Sequence, residues 1–139
     1  MKKKILKRAF QILLLAFIVI QFFRPAKNKS DVVSTNDIST KYAVPANIQT
    51  ILKTSCNDCH SNNTEYPWYS YIQPVRFFMD THINEGKKEL NFNEFGTYSN
   101  RKQKSKLEEI IKQIKSNEMP LTSYTMIHHN AILNKENKT

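Results

Sequence analysis

Glycine is almost missing from this sequence. Gly86 and Gly96 are the only two among 139 residues, too few for a glycine-rich phosphate loop or for many tight hairpin turns. Cysteine is equally scarce, with two in all, and tryptophan occurs once. No segment alternates polar and apolar residues as a strand would, and no repeat or low-complexity tract appears. A β-rich fold is therefore not expected. At this length the chain holds one small domain and little more.

Acidic residues are also in short supply, and the formal charge is +9. Its position matters more than its size. Lys2, Lys3, Lys4, Lys7, Arg8 and Arg24 flank an apolar run near the N-terminus; without these six, 15 basic residues face 12 acidic ones, a remainder of +3. The basic balance is mostly a membrane-topology signal. Nucleic acid is not expected as a partner.

The run itself, Ala9 to Phe23, is 15 residues without a charge, interrupted by Gln11 and Gln21. Counted from Ile5 it reaches 19 residues, or roughly 28 Å of helix, with Lys7 and Arg8 able to snorkel back to the headgroups. Arg24, Pro25, Ala26 and Lys27 follow, with no small-x-small cleavage site. Residues 1–23 therefore read as an uncleaved transmembrane anchor, with a removed signal peptide as the alternative. The positive-inside rule keeps the N-terminus cytoplasmic and exports the rest, placing the folded part at the outer face of the inner membrane. Residues 24–44 are polar and aperiodic and read as a flexible tether.

From Pro45 the pattern turns helical. Ile48, Ile51 and Leu52 mark a short helix that runs directly into Cys56. Val75, Phe78, Met79 and His82 mark a second, from about Pro74 to Gly86. Leu107, Ile110, Ile111 and Ile114 give the cleanest stripe, on a helix from about Asn100 to Asn117, with Glu108 and Lys112 paired on its surface. A fourth helix is expected over Tyr124 to Leu133. Residues 45–135 thus form an all-α domain of about four short helices, and 136–139 a fraying tail. Such a unit has a thin core and would gain from a large apolar cofactor at its centre.

Both cysteines fall in "CNDCH", residues 56–60. A thioredoxin-like redox pair opens a helix after a strand, whereas this pair closes a helix and no strand precedes it. Zinc needs four ligands, and His60 adjoining Cys59 strains joint coordination while no second pair at finger spacing exists. A disulfide here would close a very small loop and stabilise little. The haem reading uses every residue: two thiols spaced by two can each form a thioether with one porphyrin, and the next residue, His60, becomes the proximal iron ligand. Export agrees with it. For the other face of the iron, Met119 is the best candidate, because the residue before Pro120 leaves the preceding helix. Methionine/histidine ligation raises the potential of cytochromes c. His82 is the rival distal ligand.

Three stretches, CNDCHSNNTEYPWYSYIQPV, HINEGKKELNF and NEMPLTSYTMIHHNAIL, together resemble the small single-haem, often membrane-tethered haem-binding domain proteins of bacteria. The resemblance covers nearly everything from Ile48 to Leu133, and YPWYSYIQPV makes it specific. It implies one covalent haem c on Cys56 and Cys59, His60 proximal and Met119 distal. Phe95 departs from the tryptophan usual in that family, at a position of packing rather than ligation. Beside this, Tyr66, Pro67 and Trp68 are expected at the haem edge, with the Trp68 indole N–H on a propionate and the Pro67 carbonyl on His60 Nδ1. Arg76 is a further candidate for a propionate partner, with an ordinary exposed arginine on a helix as the alternative. The basic run Arg101, Lys102, Lys104 and Lys106 is either a solvated helix face or a dock for an acidic redox partner. The function expected is a cytochrome c-like electron carrier and not an enzyme, with a peroxidase-like enzyme or a haem sensor or haem-handling module as the alternatives.

Overall fold

A computed structural model describes residues 2–30, 32 and 34–138. The tether and tail expectations touch Asp31, Val33 and Thr139, which lie outside the described residues. The described residues are helical, without strands. Seven α-helices run in order: α1 (Lys2–Ile20), α2 (Ile38–Lys41), α3 (Ala46–Ser55), α4 (Asn57–His60), α5 (Val75–Glu89), α6 (Asn100–Lys115) and α7 (Thr122–Thr125). Short 3-10 turns at Trp68–Tyr71, Phe92–Thr97, His129–Ala131 and Glu136–Lys138 complete them. The all-α expectation holds. The count differs because α2 forms within the expected tether and α4 follows α3 at once, while the short helix expected over Tyr124–Leu133 is replaced by α7 and a 3-10 turn, with Ala131 and Leu133 buried at its end.

The expected transmembrane helix is corrected. No helix among the described residues is long and apolar enough to cross a membrane. α1 includes Lys2, Lys3, Lys4, Lys7 and Arg8, and it ends at Ile20 in tight turns from Gln21 N to Ile18 O and Phe22 N to Val19 O. Its uncharged part, Ala9–Ile20, is 12 residues, or roughly 18 Å of helix against a hydrocarbon core of about 30 Å.

The described chain forms two compact units. The first combines the chain up to Lys27 with Glu65–His82. There Gln73 is buried and ties itself to the end of α1: its N donates to Gln21 Oε1 (2.9 Å) and its Nε2 to Phe23 O (2.7 Å). Arg76 is buried too. Its Nε lies 2.7 Å from Asp80 Oδ2, its Nη2 donates to Pro25 O and Ala26 O, and its guanidinium sits over the Tyr66 ring at 4.3 Å.

The second unit, Asn28–Thr64 with Ile83 onward, carries the core. Leu90, Phe92 and Phe95 are buried together, with Leu52, Cys56, Tyr98 and Ile110 packed on them. Phe95 is fully buried, so its role is packing, as expected. Segments of the expected tether are bonded into this unit. Asp37 caps α2, and its other carboxylate oxygen accepts from Asn93 Nδ2. Asn28 Nδ2 donates to Ser61 O and Thr64 Oγ1, and Thr64 N donates to Asn28 O.

Two helix ends shape the surroundings of the CNDCH turn. α6 begins at Ser99, whose hydroxyl accepts from Lys102 N, and ends in a Schellman motif. Glu118 N reaches Gln113 O, Asn117 N reaches Ile114 O, and Asn117 takes the left-handed conformation (φ 61°) that asparagine tolerates. α5 runs three residues past Gly86, to Glu89. That glycine serves a close approach rather than a stop.

Candidate functional site

Cys56 ends α3 and starts α4 at once. Its φ/ψ of −128°/−44° breaks the helix axis, while its N donates to Leu52 O and its carbonyl accepts from His60 N at 2.9 Å. The whole of "NDCH" is therefore one helical turn hung on Cys56. Side chains hold it from outside. Tyr124 Oη donates to Asp58 Oδ2 (2.7 Å), and Thr64 Oγ1 donates to the Asp58 carbonyl (2.6 Å). The polar run after His60 is part of the same bracing, with Asn62 N on Asn93 Oδ1 and Asn91 Nδ2 on Asn62 Oδ1.

The last turns of α5 pack on this hook. An atom placed as Cβ on Gly86 would lie 2.7 Å from the Cys59 carbonyl oxygen and 3.2 Å from its carbon. No other residue type fits without moving backbone. The close approach brings two carbonyl oxygens to the histidine: His60 Nδ1 is 2.9 Å from Gly86 O and 3.0 Å from Leu90 O. A carbonyl only accepts, so Nδ1 carries the hydrogen and donates to both. In the neutral ring this sets the tautomer and leaves the lone pair on Nε2. Two acceptors at the negative end of a helix also raise the electron density of the ring.

His60 and Cys56 line one cavity of about 250 Å³. Its wall is mainly apolar, with Leu90, Phe92, Ile110, Ile114 and Leu133, and Met119 and Pro120 belong to it. The Schellman end of α6 explains why Met119 is there: the left-handed Asn117 turns the chain off the helix two residues earlier. At the edge, Lys106 is ion-paired with Glu109 (2.9 Å) and Glu89 (3.4 Å), and hydrogen bonding to Glu109 holds its ammonium group above the usual lysine range. Lys106 is the only lysine or arginine in that wall.

Both thiols are free. Burial pushes the Cys56 thiol up to about 12, with the neighbouring Cys59 adding to it. Burial, then the Asp58 charge, pushes Cys59 up to about 11. Both stay protonated at neutral pH. Among the described residues no group of three His, Cys, Asp or Glu side chains is placed to hold a metal ion, so a zinc site built by the chain alone has no donor set.

A pinned histidine, the Cys56 thiol and a methionine share one mainly apolar cavity, with Cys59 on the same turn as the histidine. A family model described as a haem-binding domain matches residues 15–139. The chain belongs to the haem-binding domain family. No curated protein and no solved structure matches it significantly.

The residues of this haem-binding domain fit the group. Cys56, His60 and Met119 are brought together, with Cys59 on the same turn as His60. Asn57, between the cysteines, has a buried Oδ1 without a hydrogen-bond partner, the only such side-chain atom found among the described residues. Pro67, Trp68 and Arg76 belong to the first unit and line no part of this cavity. The Pro67 carbonyl accepts from Ser70 N and Oγ instead of His60. Trp68 is 75% exposed, and Arg76 is committed to Asp80. His82, the rival ligand, is also in the first unit, where its Nδ1 donates to Phe78 O and its ring lies against that of Phe78. Sequence reasoning missed Gly86, Leu90, Lys106 and the Ile110–Ile114 wall. The scarcity of glycine was a usable signal for the first, and the apolar stripe of α6 for the last.

Proposed function

We propose that this haem-binding domain protein is a monohaem c-type cytochrome that carries single electrons outside the cytoplasm. The observation that carries the reading is the double hydrogen bond from His60 Nδ1 to Gly86 O and Leu90 O, in a cavity shared with Cys56 and Met119. Bound haem would supply reversible one-electron chemistry at its iron. The chain's part is to hold and tune it. Cys56 and Cys59 would hold the haem through thioethers, and His60 Nε2 and Met119 Sδ would be its iron donors. Met119 in the same cavity as His60 would leave the iron no open position, which favours a carrier over a peroxidase or a gas sensor. Lys106, the one lysine or arginine of the cavity wall, would be the cation available to a propionate, in exchange for its glutamate partners. The basic N-terminal cluster and the apolar run behind it support export and attachment at the outer face of the inner membrane.

Two measurements test this. Haem staining of a denaturing gel should lose its signal in Cys56→Ser/Cys59→Ser; a stained band would rule out thioether attachment. The ferric spectrum should carry the weak far-red iron–sulfur band of methionine ligation, lost in Met119→Ala and kept in His82→Ala. A high-spin resting iron would refute the carrier reading.

A further inference from the structure

The first unit turns its apolar side chains outward. Trp68, Phe77 and Phe78 are 75, 69 and 56% exposed, and Tyr71 and Ile72 are exposed as well. From Tyr66 to Met79 the only charged residue is Arg76, and that one is buried against Asp80, Pro25 O and Ala26 O. The run therefore presents aromatic and aliphatic groups with no exposed charge among them. Water-facing surfaces rarely leave such a patch bare.

The patch is joined to α1. Gln73 N and Nε2 donate to Gln21 Oε1 and Phe23 O, and Gln21 Nε2 donates back to Gln73 O at 3.2 Å. Whatever medium receives the end of α1 therefore receives the patch too. α1 exposes Ile12, Leu13, Leu14 and Leu15 at consecutive positions, which together circle the helix. A groove on a protein covers one face of a helix; a helix apolar all round calls for a fluid apolar phase. Its charges sit only at the start, on Lys2, Lys3, Lys4, Lys7 and Arg8, which suits phosphate headgroups. The patch itself mixes tryptophan, tyrosine and phenylalanine with a cation, Lys27 Nζ donating to Tyr71 Oη at 2.7 Å. That is the composition of a membrane–water interface.

We propose that residues 68–78 form a lipid-docking surface, seating Trp68, Phe77 and Phe78 in the headgroup region of a phospholipid bilayer beside the end of α1. Seating of this kind reaches only about 5–10 Å into the lipid, so it needs no membrane-crossing helix. It goes beyond the haem reading and does not rest on it. The effect would be to hold this unit at a fixed face to the membrane rather than free on a leash.

The test is hydroxyl-radical footprinting, read by mass spectrometry, of the full-length haem-loaded protein with and without vesicles of phosphatidylethanolamine and phosphatidylglycerol. Oxidation of Trp68, Phe77 and Phe78 should fall roughly fivefold or more on the vesicles. Ile127 and Ile132, exposed apolar residues of the second unit, should keep their rates. Phe77→Ser/Phe78→Ser, at exposed positions, should keep its Soret absorbance and return Trp68 to its vesicle-free rate. Failure to bind vesicles overturns the proposal. So does binding with the three aromatics oxidised at full rate, the pattern expected if the surface serves a protein partner, and so does undiminished Trp68 protection in the double variant.

Discussion

Replacing Gly86 by alanine should destabilise the protein, against the ordinary trend for helices. In an exposed helix interior, alanine is favoured over glycine by about 1 kcal/mol. Here the new methyl group would meet the Cys59 carbonyl oxygen at 2.7 Å and the Cys59 carbonyl carbon and Cβ at 3.2 Å. These atoms belong to the hook that carries Cys56 and His60, so relief requires α5 and α4 to separate by roughly half an ångström. Overpacking of this kind costs about 1–3 kcal/mol. The same separation stretches the 2.9 Å bond from His60 Nδ1 to Gly86 O, worth about 1 kcal/mol. After the propensity gain the net loss is about 1–3 kcal/mol. Urea unfolding followed by far-ultraviolet circular dichroism and by the Soret band should show it as a lower midpoint. Gly96→Ala is the comparison. Its Cβ would meet mainly the movable Lys41 side chain, at 2.5 Å from Cε, with Asn36 O at 3.1 Å, so it should cost less. If Gly86→Ala matched or exceeded the parent in stability, the close approach of α5 to the CNDCH turn would be wrong.

Three further outcomes are expected. In the haem-free chain at pH 8, iodoacetamide should modify both Cys56 and Cys59 at least about tenfold more slowly than an unperturbed thiol, Cys56 the slower. Both pKa values are raised, to about 12 and about 11 from 9.0, so the fold favours the neutral thiols: relative to the unfolded chain, it loses stability as the pH rises from about 9 towards 11–12. Alkylation at ordinary rates in the folded chain would contradict this. Asn117→Val should cost about 1–2 kcal/mol, because a branched side chain resists the left-handed φ of 61°, and it should weaken the iron–sulfur band by moving Met119; Asn117→Gly should preserve both. Arg76→Met leaves Asp80, 17% exposed, without its partner, and should lower thermal stability by about 3–5 kcal/mol; a shift of the Soret band in that variant would return Arg76 to the haem.

The CNDCH turn was legible because its pattern is local. Two thiols and an imidazole at fixed spacing on one helical turn need no long-range contact to be recognised, and the stripes of α3, α5 and α6 follow from helical period alone. The partner of His60 Nδ1 was not legible. The expected acceptor was Pro67, seven residues away; the observed ones are Gly86 and Leu90, 26 and 30 residues away. Spacing cannot convey which carbonyls a packed helix end delivers. The aromatic run at 66–78 was ambiguous for a related reason. Its composition suits a haem wall and a lipid interface equally, and its exposure and its bonds to the end of α1 are what support the second.

By itself, then, the sequence determined the helical class, the haem and the grouping of two thiols with an imidazole on one turn, since these depend on residue type and short-range spacing. The α1 boundary, and with it the loss of a membrane-crossing length, depended on where the helix hydrogen bonds stop. Tertiary structure alone decided the tautomer of His60, the reason for Gly86 and the gathering of Met119, Ile110 and Leu133 around one cavity. Each of those depends on two backbone segments approaching within a few ångströms, which packing settles and pattern does not encode.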